Sequence, residues 1–125
     1  MLHSGIQSYR DLKVWQQAMD VAEVCYHLTR RFPREEIYGL TSQIRRAAAS
    51  VPANIAEGNG RDTRREYIQF LRVAQGSLKE LETHVILCTR IGLVTPVASE
   101  GVLGQCEAVG KMLRALIRSL EAIRE

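Results

Sequence analysis

Between Tyr67 and Cys88, an apolar residue returns at alternating intervals of four and three positions over three heptads. This spacing puts the repeated side chains on one stripe of an α-helix and is typical of helices that pack as coiled coils. The stripe consists of Tyr67, Leu71, Ala74, Leu78, Leu81, Val85 and Cys88. The pattern predicts a long helix with one continuous apolar face, which partner helices have to cover.

Capping signals bound this helix and predict another after it. Thr63 and Glu66 have the spacing of a capping box, in which the two side chains satisfy free amides at a helix start. Gly92 suits the left-handed turn that ends many helices. Thr95 followed by Pro96 predicts the next start, because proline is favoured at the first helical position. We predict two helices in the second half of the chain, at residues 63–91 and 96–124.

Two more helices are predicted in the first half of the chain. Asp11 is a plausible N-cap, and Pro33 stops the apolar pattern that follows it. Two neighbouring apolar stripes in this helix cover about 200° of its surface, which indicates either two helical neighbours or contact with another subunit. The next helix is rich in alanine, contains Pro52, where we expect a bend, and precedes the breaker run Gly58–Gly60. We predict these helices at residues 11–32 and 39–58.

These four patterns, with no competing strand signal, predict an all-α fold. Because the connections are short, consecutive helices are expected to be antiparallel, in an up-down-up-down four-helix bundle. The length of 125 residues, 46% of them hydrophobic, suits one compact domain. We expect residues 1–10 to be an N-terminal extension and residues 11–125 to form the single domain.

The cysteines and the absence of export signals bear on the compartment. Cys25, Cys88 and Cys106 fall on apolar helical stripes and have no C-x-x-C partner, so we expect buried free thiols. The N-terminus has no signal-peptide pattern, and no window approaches about 18 consecutive apolar residues, so we expect no membrane span. A reducing cytoplasm fits these features best.

The sequence gives no expectation of catalysis. Glu23 and His27, like Glu80 and His84, are spaced four apart rather than in the Glu-x-x-His pattern of di-iron bundles. No cluster of Cys and His fits a zinc site, and no glycine-rich phosphate loop is present. We therefore expect no catalytic residue, no cofactor and no metal ion.

Three polar residues, Gln43, Ser50 and Asn54, border the apolar face of the second helix. They allow either a polar ligand site or partly buried hydrogen bonds between helices. The second interpretation is favoured, because buried polar groups in proteins are usually paired.

Positive charge is concentrated between residues 45 and 79. The whole chain carries a formal charge of +3, whereas this segment has seven basic and three acidic residues, an excess of four positive charges. Residues seven apart lie on one helix face at intervals of about 10 Å, as Arg65, Arg72 and Lys79 do. The candidate nucleic-acid-binding residues are Arg45, Arg46, Arg61, Arg64, Arg65, Arg72 and Lys79.

The alternative interpretation of these charges is a solvated face balanced by neighbouring acidic residues. No aromatic residue is interleaved with the charges, so recognition of RNA by base stacking is not expected. If the second and third helices are antiparallel, Arg45 and Arg46 are expected near the level of Gln75.

Three stretches resemble a known bacterial family: residues 9–15 (YRDLKVW), residues 39–61 (GLTSQIRRAAASVPANIAEGNGR) and residues 67–82 (YIQFLRVAQGSLKELE). The sequence resembles the four-helix-bundle proteins encoded in intervening sequences of bacterial large-subunit rRNA genes. The accessory protein of diversity-generating retroelements is related to them. The resemblance implies a cytoplasmic bundle, a ring-like homopentamer and no known catalytic activity. The accessory proteins contact a reverse transcriptase and nucleic acid through basic surfaces, which would correspond here to Arg45, Arg46, Arg61, Arg64, Arg65 and Arg72.

Two functional hypotheses follow. The first is a non-enzymatic homo-oligomer whose basic face binds RNA or another polyanion. The second is a protein-interaction scaffold without nucleic-acid binding, in which the wide apolar faces serve assembly and an unidentified protein partner. The predicted partners are therefore a second copy of the chain, RNA or another nucleic acid, and a protein, with no membrane.

Overall fold

The computed structural model describes residues 8–123, which form four long helices and two short 3-10 turns. No strand occurs within this range. The helices are α1 (Lys13–Thr29), α2 (Leu40–Asn59), α3 (Arg64–Arg90) and α4 (Pro96–Glu121). The 3-10 turns, Tyr9–Asp11 and Arg34–Glu36, precede and follow α1. The prediction of an all-α four-helix fold is confirmed.

The start of α1 differs from the prediction that Asp11 is its N-cap. Asp11 instead ends the first 3-10 turn, where its carboxylate accepts a hydrogen bond from the Ser8 backbone N–H at 3.1 Å. Leu12 holds the N-cap position of α1 without a side-chain hydrogen bond. The Asp11 carboxylate therefore accepts a local hydrogen bond within the preceding turn, and not one from the first amides of α1 as predicted.

Two other predicted boundaries shift or lie outside the described residues. α1 ends at Thr29 rather than at residue 32, because the chain tightens into turns there, with the Phe32 N–H donating to the Thr29 carbonyl at 3.1 Å. The predicted end of the fourth helix at residue 124 lies beyond the described residues, within which α4 ends at Glu121. Most of the predicted extension over residues 1–10 also lies outside them.

Helices α3 and α4 begin as their capping signals predict. The Thr63 hydroxyl accepts from the Glu66 backbone N–H at 3.1 Å, and the Thr95 side chain accepts from the Ala98 N–H. The reciprocal half of the capping box is different, since the Glu66 carboxylate accepts from the Thr63 hydroxyl at 3.0 Å. Gly92 adopts the left-handed conformation, with φ of +85°, as predicted for the end of α3.

Each helix contacts two neighbours, in the cyclic order α1, α2, α3, α4. Between α2 and α3, Arg46 lies against Glu80 (2.9 Å) and Asn59 against Tyr67 (3.2 Å). Residue numbers therefore rise along one helix as they fall along the other, so α2 and α3 are antiparallel. All seven residues of the heptad stripe on α3 are buried, as the periodicity predicts.

The two apolar stripes of α1 have different environments. Val14, Ala18 and Cys25, from one stripe, are buried between α2 and α4, so contact with two neighbours explains that stripe. The other stripe includes Met19 and Tyr26, whose side chains are 44% and 42% exposed. Part of the apolar surface of α1 is therefore left uncovered by the helices of the same chain.

The three cysteines are free and buried, as predicted. Burial raises the pKa of Cys25 and of Cys88 to about 11, and it raises the pKa of Cys106 to about 12. At neutral pH these thiols are therefore protonated, and they act as small apolar residues of the core.

Candidate nucleic-acid interface

Arg45 does not contribute to a free basic surface. Its Nε donates to the Thr29 hydroxyl at 2.8 Å, and its guanidinium lies 4.7 Å from the centre of the Tyr26 ring. Both partners belong to α1. The side chain therefore joins α2 to α1, on the opposite side of α2 from the helix that carries most of the other candidates.

Arg46 and Arg61 are both paired with acidic residues near α3. Arg46 forms an ion pair with Glu80 at 2.9 Å. Arg61 pairs with Glu57 at 2.9 Å, and its guanidinium lies 4.7 Å from the centre of the Phe70 ring. The two ion pairs match the alternative interpretation, in which neighbouring acids balance the charges. The Phe70 ring beside Arg61 corrects the expectation that no aromatic residue is interleaved with these charges.

Arg46 lies beside Glu80 of α3, and not beside Gln75 as the sequence predicts. The backbone of α2 approaches α3 closely at Gly58, which is buried against Tyr67 and Phe70. The first turn of α3 therefore extends beyond the end of α2. The register between the two helices follows from this contact and cannot be predicted from the length of the loop.

The remaining candidates lie on α3. Arg64 is the half-buried first residue of the helix, whereas Arg65, Arg72 and Lys79 are exposed. Arg72 pairs with Glu121 of α4 at 2.7 Å, and Lys79 pairs with Glu82 at 3.0 Å. Arg65 forms no ion pair within residues 8–123. The structure thus places Arg72 and Lys79 on the side of α3 that faces α4.

A groove of about 420 Å³ runs along this side, between α3 and α4. It brings the two α3 cations together with an arginine of α4 that the charge count along the sequence missed. The lining residues are Arg72, Gln75, Gly76, Leu78, Lys79, Gly110 and Arg114. None of these residues is acidic or aromatic, so the groove combines a positive wall on each side with a floor of small and apolar groups.

Two more basic residues lie on α4 near Arg114, and one of them, Lys111, lines an adjoining cavity that also contains Glu82 and Glu107. Lys111 and Arg118 lie three residues before and four residues after Arg114, on one helix face. We call Arg65, Arg72, Lys79, Lys111, Arg114 and Arg118 the α3–α4 basic surface. Three carboxylates accompany these six cations, namely Glu82, Glu107 and Glu121. Six positive and three negative charges leave an excess of three positive charges, so the surface retains a positive potential.

The polar border on α2 forms hydrogen bonds within the bundle. The Ser50 hydroxyl lies 2.8 Å from the Ser77 hydroxyl of α3, and the Asn54 amide donates to the Ser50 carbonyl at 2.8 Å. The Gln43 side chain accepts from Arg46 at 2.5 Å. The predicted hydrogen bonding between helices is therefore found at Ser50.

In the two Glu and His pairs that are spaced four apart, the side chains make local contacts on single helices. His84 Nε2 lies 3.3 Å from Glu80 Oε2, and His27 Nε2 lies 3.9 Å from Glu23 Oε2. Between residues 8 and 123, no three His, Cys, Asp or Glu side chains come together as metal ligands would. None of the helices in the same range combines the length and apolar character that a membrane span requires.

The model of the 23S rRNA-intervening sequence protein family matches residues 10–115, which is most of the chain and includes both walls of the groove. The chain belongs to this family. The resemblance carried by the arginine- and alanine-rich stretch of α2 is thereby confirmed. None of the proteins with curated descriptions matches the sequence.

A solved structure supports the fold of this intervening-sequence protein. It is a protein of unknown function from the S23 ribosomal protein family of Bacteroides thetaiotaomicron, with a TM-score of 0.75 and 22% sequence identity. The similarity covers 83% of this chain and 97% of the other. Since the identity is low, this relation concerns the helical fold alone.

Proposed function

We propose that this intervening-sequence protein is a non-enzymatic, homo-oligomeric bundle that binds RNA or another polyanion through the α3–α4 basic surface. The observation that carries the proposal is the groove in which Arg72, Lys79 and Arg114 meet without an acidic lining residue. RNA is the first polyanion to test, because the family name refers to 23S rRNA. We place the protein in the cytoplasm, where reducing conditions suit its three buried thiols.

The proposed interaction is electrostatic. Arginine and lysine neutralise backbone phosphates and release condensed counterions, so affinity falls as the salt concentration rises. The exposed ion pairs of Arg72 and Lys79 are weak enough for a phosphate to replace the carboxylate. Oligomerisation would repeat the basic surface and strengthen binding to a long polyanion.

The first prediction concerns the charge of the groove. A variant with Arg72→Ala, Lys79→Ala and Arg114→Ala is expected to bind RNA at least about tenfold more weakly at low salt. The slope of log affinity against log salt concentration is expected to become shallower by about 2, since three phosphate contacts are lost. Fluorescence anisotropy with a labelled single-stranded RNA at several salt concentrations measures both quantities.

A matched control removes the same charge elsewhere. Lys13, Arg30 and Arg34 are exposed residues on or near α1, and replacing all three by alanine leaves the groove intact. This control is expected to retain most of the affinity. Equal losses in the two variants would contradict the assigned surface, and an unmodified protein that binds neither RNA nor another polyanion would contradict the proposed function.

The homo-oligomeric part of the proposal is supported by exposed apolar side chains. A groove of about 560 Å³ between α1 and α2 is lined mainly by apolar residues, including Trp15, Met19 and Tyr26. Val73 on α3 and Ile91, directly after α3, are further exposed apolar side chains. Because these are two different faces of one chain, a second copy could dock head-to-tail, as closed rings such as a pentamer require.

The second prediction concerns this assembly. Light scattering of the unmodified protein at micromolar concentration is expected to give the mass of several chains. Met19→Glu, which puts a charge in the groove between α1 and α2, is expected to reduce the mass toward that of one chain. Val97→Glu is the control, because Val97 is 80% exposed and lies outside this groove. A monomeric unmodified protein would contradict self-association.

The apolar groove between α1 and α2 also favours a second function, that of a protein-interaction scaffold without nucleic-acid binding. The two functions differ in their response to nuclease. A single protein recovered with the bundle after nuclease treatment, together with no affinity for purified RNA, would favour the scaffold.

A further inference from the structure

Two glycines form part of the floor of the groove between α3 and α4. Gly76 belongs to α3 and Gly110 to α4, and both line the groove beside Arg72, Lys79 and Arg114. Glycine inside a helix costs up to about 1 kcal/mol relative to alanine. The presence of glycine on both helices of the groove therefore calls for a reason.

Helix packing does not supply this reason at Gly76. A Cβ atom added there would meet no heavy atom within 4 Å. At Gly110 an added Cβ would lie 3.4 Å from Leu78 Cδ2 and 3.7 Å from Arg114 Nη1, which are ordinary van der Waals distances. At Gly76 the missing side chain therefore leaves open space between the positively charged walls, whereas Gly110 gives room to Leu78 of α3.

The cations around this space lie on both walls. Arg72 and Lys79 are seven residues apart on α3, or about 10 Å along the helix axis, and Arg114 faces them from α4. The charges are therefore spread along the groove, as contacts with several phosphates of one chain require.

We infer that the groove takes a single phosphodiester chain of RNA, with phosphates on Arg72, Lys79 and Arg114 and with the bases turned toward solvent. This inference rests on the proposed function and specifies its ligand. None of the described residues that line the groove is aromatic, so no ring is available on which a base could stack. Binding is therefore independent of base identity.

Filling the groove without changing its charge tests this inference. Gly76→Leu replaces a hydrogen by a bulky side chain in open space, and leucine favours the helix. Its affinity for a labelled oligouridylate is expected to fall at least about tenfold. For any remaining binding, the slope of log affinity against log salt concentration is expected to become shallower, because fewer phosphates are contacted. Gly76→Gln fills the same space with a polar side chain and is expected to have the same effect.

Gly104→Leu is the matched control for this experiment. Gly104 is also a glycine inside a helix, an added Cβ there meets no heavy atom within 4 Å, and it lies outside the groove. Its affinity is expected to stay within about twofold of the unmodified protein. Circular dichroism and urea unfolding establish that all three variants are folded.

The possible outcomes separate the inference from the proposed function. If the unmodified protein binds RNA and both Gly76 variants bind like Gly104→Leu, the groove inference is wrong and the function stands. An unmodified protein that binds neither oligouridylate nor oligoadenylate contradicts RNA as the ligand in the proposed function. Affinities for the two oligonucleotides that agree within about twofold support outward-facing bases, and a strong preference for one overturns that orientation.

Discussion

Replacing Leu81 by alanine is expected to lower the free energy of unfolding by about 3 kcal/mol, within the range of about 2–5 kcal/mol for buried leucines. Leu81 is fully buried in the middle of the α3 stripe, so the substitution removes apolar burial and leaves a cavity. Urea unfolding followed by circular dichroism measures the change, which should appear as a lower midpoint with an unchanged slope.

Leu87→Ala provides a matched control on the same helix. Leu87 is 44% exposed and lies outside the stripe, so the same chemical change is expected to cost less than about 1 kcal/mol. A loss below about 1 kcal/mol for Leu81→Ala would contradict the heptad stripe as the core of the subunit. A loss of about 3 kcal/mol for both variants would indicate that Leu87 is covered by another copy, and light scattering of both variants tests this case.

The periodicity of α3 was sufficient to predict its buried face, because every repeated residue is apolar and three heptads fix one helix direction. The start of α1 was not predictable in the same way. Asp11 has the chemistry of an N-cap, but its carboxylate accepts a hydrogen bond from the Ser8 backbone N–H in the preceding turn. Single residues at helix ends have competing local hydrogen bonds, whereas a long stripe has no comparable alternative.

The candidate site was only partly predictable, because a surface formed by two helices is not continuous in sequence. Arg72 and Lys79 were found, since they lie in the charged segment. Arg114 was missed because Glu107 and Glu121 nearby reduce the local excess of positive charge. Its spacing from Lys111 and Arg118 was an available signal, but only the register of α3 against α4 brings these residues to the same groove.

Sequence proximity also grouped residues that the helix separates. Arg45 lies next to Arg46 in the same charged segment, yet the side chains of consecutive helical residues point about 100° apart. One of the two therefore contacts Tyr26 of α1, while the other pairs with Glu80 of α3. The charged residues of a helical sequence therefore have to be assigned to the faces of the helix before they are interpreted as one surface.

The close approach of α2 to α3 at Gly58 predicts that Gly58→Ala destabilises the protein by about 2 kcal/mol. An added Cβ would lie only 2.7 Å from Phe70 Cβ and 3.1 Å from Tyr67 Cδ1, so one helix has to move. Helix propensity alone predicts the opposite sign, a gain of up to about 1 kcal/mol. The sign of the change in urea unfolding therefore decides whether packing or propensity controls this position.

Gly104→Ala is the comparison that isolates the packing effect. An added Cβ at Gly104 meets no heavy atom within 4 Å, so only helix propensity acts and a gain of up to about 1 kcal/mol is expected. Opposite signs for the two glycine variants support the contact at Gly58 as the feature that sets the register between α2 and α3. If both substitutions stabilise the protein, the helices are further apart at Gly58 than the distance of 2.7 Å between an added Cβ and Phe70 Cβ implies. The register that pairs Arg46 with Glu80 then needs another cause.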